Sequence, residues 1–263
     1  MADGNSISVI DLGKLSKPIN TLIEKMSSAT GILYEPTHIR RIAKAKKDAA
    51  LTMAKSDIEI TELQQRGMQR LFEEEEVKQK NIEAITENAF PELNEDADPS
   101  LMENDWVTNF FDKCRIISDK EMQSLWSSIL AGEANAPGTF SKRTVNFLSD
   151  LDKKDAKLFQ TICSFGWFIE RFTPLIFKYK DNIYNNQNLN FETLTHLDSI
   201  GLITFSNINS HQEDGLPKKL KTSYHGQSIS LEMEKDNDND LFIGYVVRFS
   251  PVVYSLKYSV NNS

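Results

Sequence analysis

The residues able to make or break bonds are few in this chain, and they are scattered. The four histidines are His38, His196, His211 and His225, and the two cysteines are Cys114 and Cys163. A structural zinc site needs close pairs of such ligands, and a helical metal pair needs two histidines four residues apart. Neither spacing occurs. His211 stands near Glu213 and Asp214, a sparse loop cluster that does not predict a bound metal. No Gly-x-Ser-x-Gly elbow, dinucleotide fingerprint or cysteine with an evident histidine partner is present. The turn from Gly132 to Gly138 lacks the Gly-Lys-Ser/Thr ending that lets a phosphate loop hold its anion. No catalytic, cofactor-binding or metal-ligating residue is therefore predicted, and no cofactor is expected.

Charge is the stronger signal. The 263 residues carry a formal net charge of −8, with 38 Asp and Glu against 30 Lys and Arg. Twelve acidic and two basic residues fall between Glu73 and Asp105, so the acidity is concentrated there. Two basic clusters flank this segment. Arg40, Arg41, Lys44, Lys46 and Lys47 lie within about two helical turns. Lys218, Lys219 and Lys221 lie in a polar stretch near the other end. Both clusters are candidate contacts for an anion, a nucleic acid or an anionic membrane surface. Pairing of the first cluster with the chain's own acidic segment is the plainer alternative.

These residues must be carried by recognisable elements. Pro18 suits the first turn of a helix, Leu22, Ile23 and Met26 give it an apolar stripe, and Gly31 ends it. From Thr37 to Ala89 there is no proline and good helix formers dominate. One or two long helices are expected there, with the interruption at Gly67. Residues 91–99 read as an acidic linker. Next come compact helices carrying Trp106, Phe110 and Phe111, then Leu125, Trp126 and Ile129, then Val145 and Leu148. Ser118 with Glu121, Ser141 and Asp152 are their expected caps.

In the last third, Leu194, Leu197 and Ile200 form a helical stripe, Gly201 ends it, and Leu202 to Phe205 starts a strand. Residues 207–224 read as a long polar tip, and strands follow over Ser228–Glu234 and Leu241–Phe249. Helix, helix, strand, tip, strand is the order of a winged helix. The predicted fold is mainly α with a small α+β C-terminal part. Its divisions are an extended helical region over 1–90, the linker over 91–99, a compact helical region over 100–165, and a winged-helix-like domain over 166–263. The three tryptophans are expected in cores, and the two cysteines as reduced core thiols. The helix from Asn190 to Ile200 has no Lys or Arg, which favours a protein contact over base readout for the wing.

Two runs carry a resemblance. LWSSILAGEANAPGTFSKRTVNFLSDLDKKDAKLFQTICSF, from Leu125 to Phe165, and KPINTLIEKMSSATGILYEPTHIRRIAKAK, from Lys17, resemble a bacterial family known as domain of unknown function twenty-eight-oh-six. A looser likeness, in the order of the parts, is to the bacterial abortive-infection alpha proteins. The first resemblance implies membership without a known chemistry, and the second implies a role in phage defence. The start of the chain has no basic or apolar targeting region, and no run approaches the ~18 apolar residues of a membrane span. The expected protein is cytoplasmic and acts through self-association or a protein partner rather than as an enzyme. The alternatives are a nucleic-acid-binding winged helix and a membrane-surface effector.

Overall fold

Pro18 sits in the first turn of helix α1 (Lys17–Thr30), where its missing N–H costs nothing. Gly31 closes the helix in the left-handed conformation, φ 71°, that a side chain disfavours. The computed structural model describes residues 16–31, 61–169, 171–174, 176, 179–206, 211–232, 234, 239–243 and 246–249. They fall into two units, one ending at Ser149 and the other starting at Asp150.

The first unit is helical. Leu22 and Met26 of α1 are buried, and the Thr108 hydroxyl donates to the Ala29 carbonyl at 3.0 Å. Helix α2 (Glu62–Ala89) starts with a capping box in which Thr61 and Gln64 satisfy each other's backbone amides. Gly67, expected to interrupt, lies inside this unbroken helix. The helix starts five residues earlier, at Glu62 behind the Thr61 cap, because a cap fixes an end whereas one glycine costs only about 1 kcal/mol. Helices α3 (Asn104–Cys114), α4 (Lys120–Asn135) and α5 (Lys142–Ser149) complete the unit.

Its centre is aromatic. Phe110 stacks on Trp106 and meets the Trp126 ring edge-on, both at 5.1 Å. Among the described residues, the last third of α2 supplies its buried side chains, including Ile82, Ile85, Thr86 and Ala89. A buried polar network fixes that end. The Asn81 amide donates to the Arg115 carbonyl at 2.9 Å and accepts from the Gln123 amide at 3.2 Å. Ser118, expected as the cap of α4, meets Asn81 instead, and Asp119 caps the helix by accepting from the Glu121 and Met122 amides. Ser141 does cap α5, accepting from the Thr144 amide at 3.1 Å.

Residues 91–99, read as a linker, lie within this unit. The Asn135 side chain accepts from the Asn94 amide at 2.8 Å and donates to the Glu92 carbonyl at 2.9 Å, clamping the segment to the end of α4.

The second unit opens with α6 (Lys153–Ser164), so the division falls at 149/150 rather than 165/166. The reason is packing. Leu158 and Ile162 are buried, and the helix packs against α8 (Phe191–Ser199) and β2 (Arg171–Pro174). A helical turn, α7 (Asn182–Asn185), precedes α8. Asn190 and Thr193 form the capping box of α8, and Leu194 and Leu197 are buried.

The remaining strands are β1 (Gly166–Ile169), β3 (Ile203–Ser206), β4 (His211–Leu216), β5 (Lys219–Tyr224), β6 (Gln227–Glu232), β7 (Asn239–Ile243) and β8 (Val246–Phe249). Three antiparallel ladders nest one inside the next. β3 pairs with β8, β4 with β7, and β5 with β6. The innermost turn is His225-Gly226, both at positive φ, the twist a two-residue hairpin prefers. β1 pairs with both β2 and β5, giving a four-stranded sheet in the order β2-β1-β5-β6. The stretch expected as an open tip therefore contains β4 and β5. The partner of β3 is β8, not the 228–234 strand that a simple wing would supply.

Candidate interaction surfaces

The first basic cluster, Arg40, Arg41, Lys44, Lys46 and Lys47, lies outside the described residues, as does His38. The second is described. Lys218 precedes β5, while Lys219 and Lys221 alternate along it with Leu220 and Thr222. The two inward residues are buried and Lys219 and Lys221 are exposed, as a period of two dictates, while Lys218 is exposed in the turn before the strand. Among the described residues none of these lysines makes an ion pair within 4.0 Å.

Register shows what shares their face. Phe168 of β1 stands opposite Ser223 of β5, and Ser223 is on the same side as Lys219 and Lys221. Across the next ladder, Ser228, Ser230 and Glu232 stand opposite Ser223, Lys221 and Lys219. Phe172 of β2 stands opposite Phe168, with ring centroids 5.0 Å apart and planes at 71°. The Phe172 ring occupies the place a side chain at residue 166 would need, so Gly166 is what lets it lie against the sheet. Phe168 keeps 41% of its surface exposed. Trp167 points to the other face and stacks on Tyr224 at 4.8 Å, half-buried rather than in the core.

Another surface is helical. The first four turns of α2 carry Leu63, Leu71 and Val77 at 71%, 55% and 50% exposure. Leu71 continues the stripe of Ile82 and Ile85 at helical spacing, with Met68 and Phe72 beside it, half-buried. Charge changes sign along this arm. Arg66 and Arg70 precede Glu73, Glu74, Glu75 and Glu76. Its pairs, Arg66 with Glu62 and Arg70 with Glu74, are exposed i,i+4 contacts worth only a few tenths of a kcal/mol.

Asp155 on α6 and His196 on α8 meet through Oδ1 and Nε2 at 2.8 Å. The pair ties the two helices together. Glu133 accepts from the Gly138 and Phe140 amides, both at 2.7 Å, closing the turn between α4 and α5. Burial pushes its carboxyl above the usual range, and the backbone donors oppose that rise. Burial likewise pushes the Cys114 thiol far up, which leaves it unreactive. Neither cysteine is in a disulfide, and Cys163 is only half-buried.

Among the described residues no group of three or more metal-ligating side chains gathers, and no helix is long and apolar enough to cross a membrane. The sequence pattern singles out the three lysines as candidate contacts but not the neighbouring Phe168, because register between distant strands is invisible in a local pattern. A family model described as a protein of unknown function (DUF2806) matches residues 65–257. No curated protein matches the chain, and no solved structure matches it.

Proposed function

The chain belongs to the DUF2806 family, and on that premise we propose that it is an interaction protein that works by association of its α2 arm with a second copy of itself. The observation that carries this reading is the exposed start of α2. Among the described residues, the fully buried side chains of this 28-residue helix all lie in its last third, and Leu63, Leu71 and Val77 stay in solvent. A lone helix gains little from such side chains, whereas a facing helix removes them from water at about 25 cal/mol per Å².

The charge pattern selects the partner. An antiparallel second copy sets the half bearing Arg66 and Arg70 over the Glu73–Glu76 run of its mate, and the reverse, around a two-fold axis near Leu71. A parallel arrangement stacks like charges instead. The likeness to abortive-infection alpha proteins supports phage defence in the cytoplasm as the setting, and challenge of expressing cells with phage tests that part.

Sedimentation velocity over a range of concentrations tests the association. A dimer that Leu71→Glu converts to monomer, without loss of helicity by circular dichroism, is the expected result. A wild-type monomer at every concentration overturns the proposal.

A further inference from the structure

We propose that the outer face of the β2-β1-β5-β6 sheet is a binding surface for single-stranded RNA, independent of the α2 arm. Such strands are held by aromatic rings on which bases stack and by cations that follow the phosphates. This face holds both within one sheet. Phe168 is 41% exposed on a central strand, a position where a large apolar ring is normally covered. Phe172 braces it edge-on from β2, and Gly166 leaves room for that brace. The Phe168 ring is thus held in place with its surface open to a base.

The polar half of the face has the complementary charge. Lys221 is the diagonal neighbour of Phe168 across the β1/β5 ladder, about 7–8 Å away between backbones. That is within reach of the phosphate of a nucleotide whose base lies on the ring. Lys219 follows about 7 Å further along β5, and Lys218 adjoins it. Glu232 faces Lys219 across the ladder and offsets part of its charge. Lys221 faces Ser230 and is not offset in this way.

Three hydroxyls share this side of the sheet: Ser223 adjoins Phe168 across the β1/β5 ladder and precedes Lys221 in the row along β5, while Ser228 and Ser230 on β6 stand opposite Ser223 and Lys221. A hydroxyl can donate to and accept from a ribose 2′-OH, the group that distinguishes RNA from DNA. This row commits the surface to RNA. A duplex is disfavoured because its bases offer no open face to Phe168.

Fluorescence anisotropy of the full chain with labelled twelve-nucleotide uridine, thymidine and duplex probes tests the proposal at low salt. The uridine strand binds best, and its affinity falls as salt rises. Phe168→Leu keeps the apolar volume and removes the stacking surface, so it weakens binding by roughly 5- to 150-fold. Phe168→Trp restores it. Lys221→Ala, at an exposed position, lowers the salt slope by about 0.7. Thermal melts verify that each variant is folded. No binding up to roughly 100 µM protein overturns the proposal. So does unchanged binding in folded Phe168→Leu, and equal affinity for the thymidine strand overturns the assignment to RNA. Because Leu71→Glu leaves this face intact, RNA binding by that variant separates this proposal from the fate of the dimer.

Discussion

Replacing Glu133 with alanine removes both acceptors that close the α4–α5 turn. Each bond is 2.7 Å long and charge-assisted, a class worth about 1.5–3 kcal/mol. The two donors fare differently once the carboxylate is gone. Gly138 is exposed, so its amide turns to water, whereas Phe140 is 1% exposed and its amide is stranded. The burial of the carboxylate already offsets part of the gain. The net loss is about 2–4 kcal/mol, or roughly 5–15 °C in the melting temperature of a unit of this size. Scanning calorimetry reads this directly.

The pH dependence supplies an independent sign. The carboxyl of Glu133 is raised in the folded state, so folded protein binds its proton at higher pH than unfolded protein does. The stability it contributes is complete below the ordinary carboxylate range and is lost as pH rises through the raised value. Glu133→Gln titrates no proton. Its deficit relative to wild type is therefore largest in acid and shrinks toward neutrality. A melting temperature unchanged in Glu133→Ala, or a Gln deficit that grows with pH, would refute this account of the turn.

Other perturbations have equally definite outcomes. Gly67→Ala meets nothing within 4 Å and removes a flexible residue from an exposed helix interior, so it stabilises α2 by about 0.5–1 kcal/mol, seen as slower amide exchange over the arm. Asn81→Ala deprives the Arg115 carbonyl of its side-chain donor and the Gln123 amide of one of its two acceptors and costs about 1–3 kcal/mol by urea denaturation. A thiol reagent modifies Cys163 in the native protein, whereas Cys114, fully buried with a raised pKa, reacts only on unfolding. Mass spectrometry counts the adducts. Acidification through the lowered range of Asp98, held down chiefly by the Ser100 hydroxyl, opens the short turn at Pro99–Leu101, read as faster exchange of the Ser100 amide.

Elements whose ends are set by nearby side chains were legible in the residues. Pro18 and Gly31 bound α1, Ser141 starts α5, and Asn190 and Gly201 frame α8, each acting within one turn of the chain. Periodicity also marked the buried seam of Trp126, Ile129 and Leu130. Features set by distant partners were not legible. The alternation along β5 separates Lys219 and Lys221 from Leu220 and Thr222, but it does not say that Phe168 lies alongside. Register between strands is fixed by what they pack on. The division at 149/150 was hidden for the same reason. No glycine or proline punctuates Ser149-Asp150-Leu151-Asp152, and only the contacts of α6 decide which unit it joins.

The nested ladders also constrain how the second unit comes together in time. Ile203 and Phe249 are paired yet distant in sequence, and closing such a loop in one step carries a large entropy penalty. Nesting replaces that single closure with successive short ones. The His225-Gly226 turn brings β5 to β6, on the microsecond scale of an isolated hairpin, then β4 reaches β7 and β3 reaches β8. The docking of β1 on β5 has no such shortcut, because Phe168 and Ser223 have no intermediate ladder between them. That docking is the step at which the chain's topology sets the rate. It is also the step that builds the face bearing Phe168, so that face becomes available only once the slowest contact has formed.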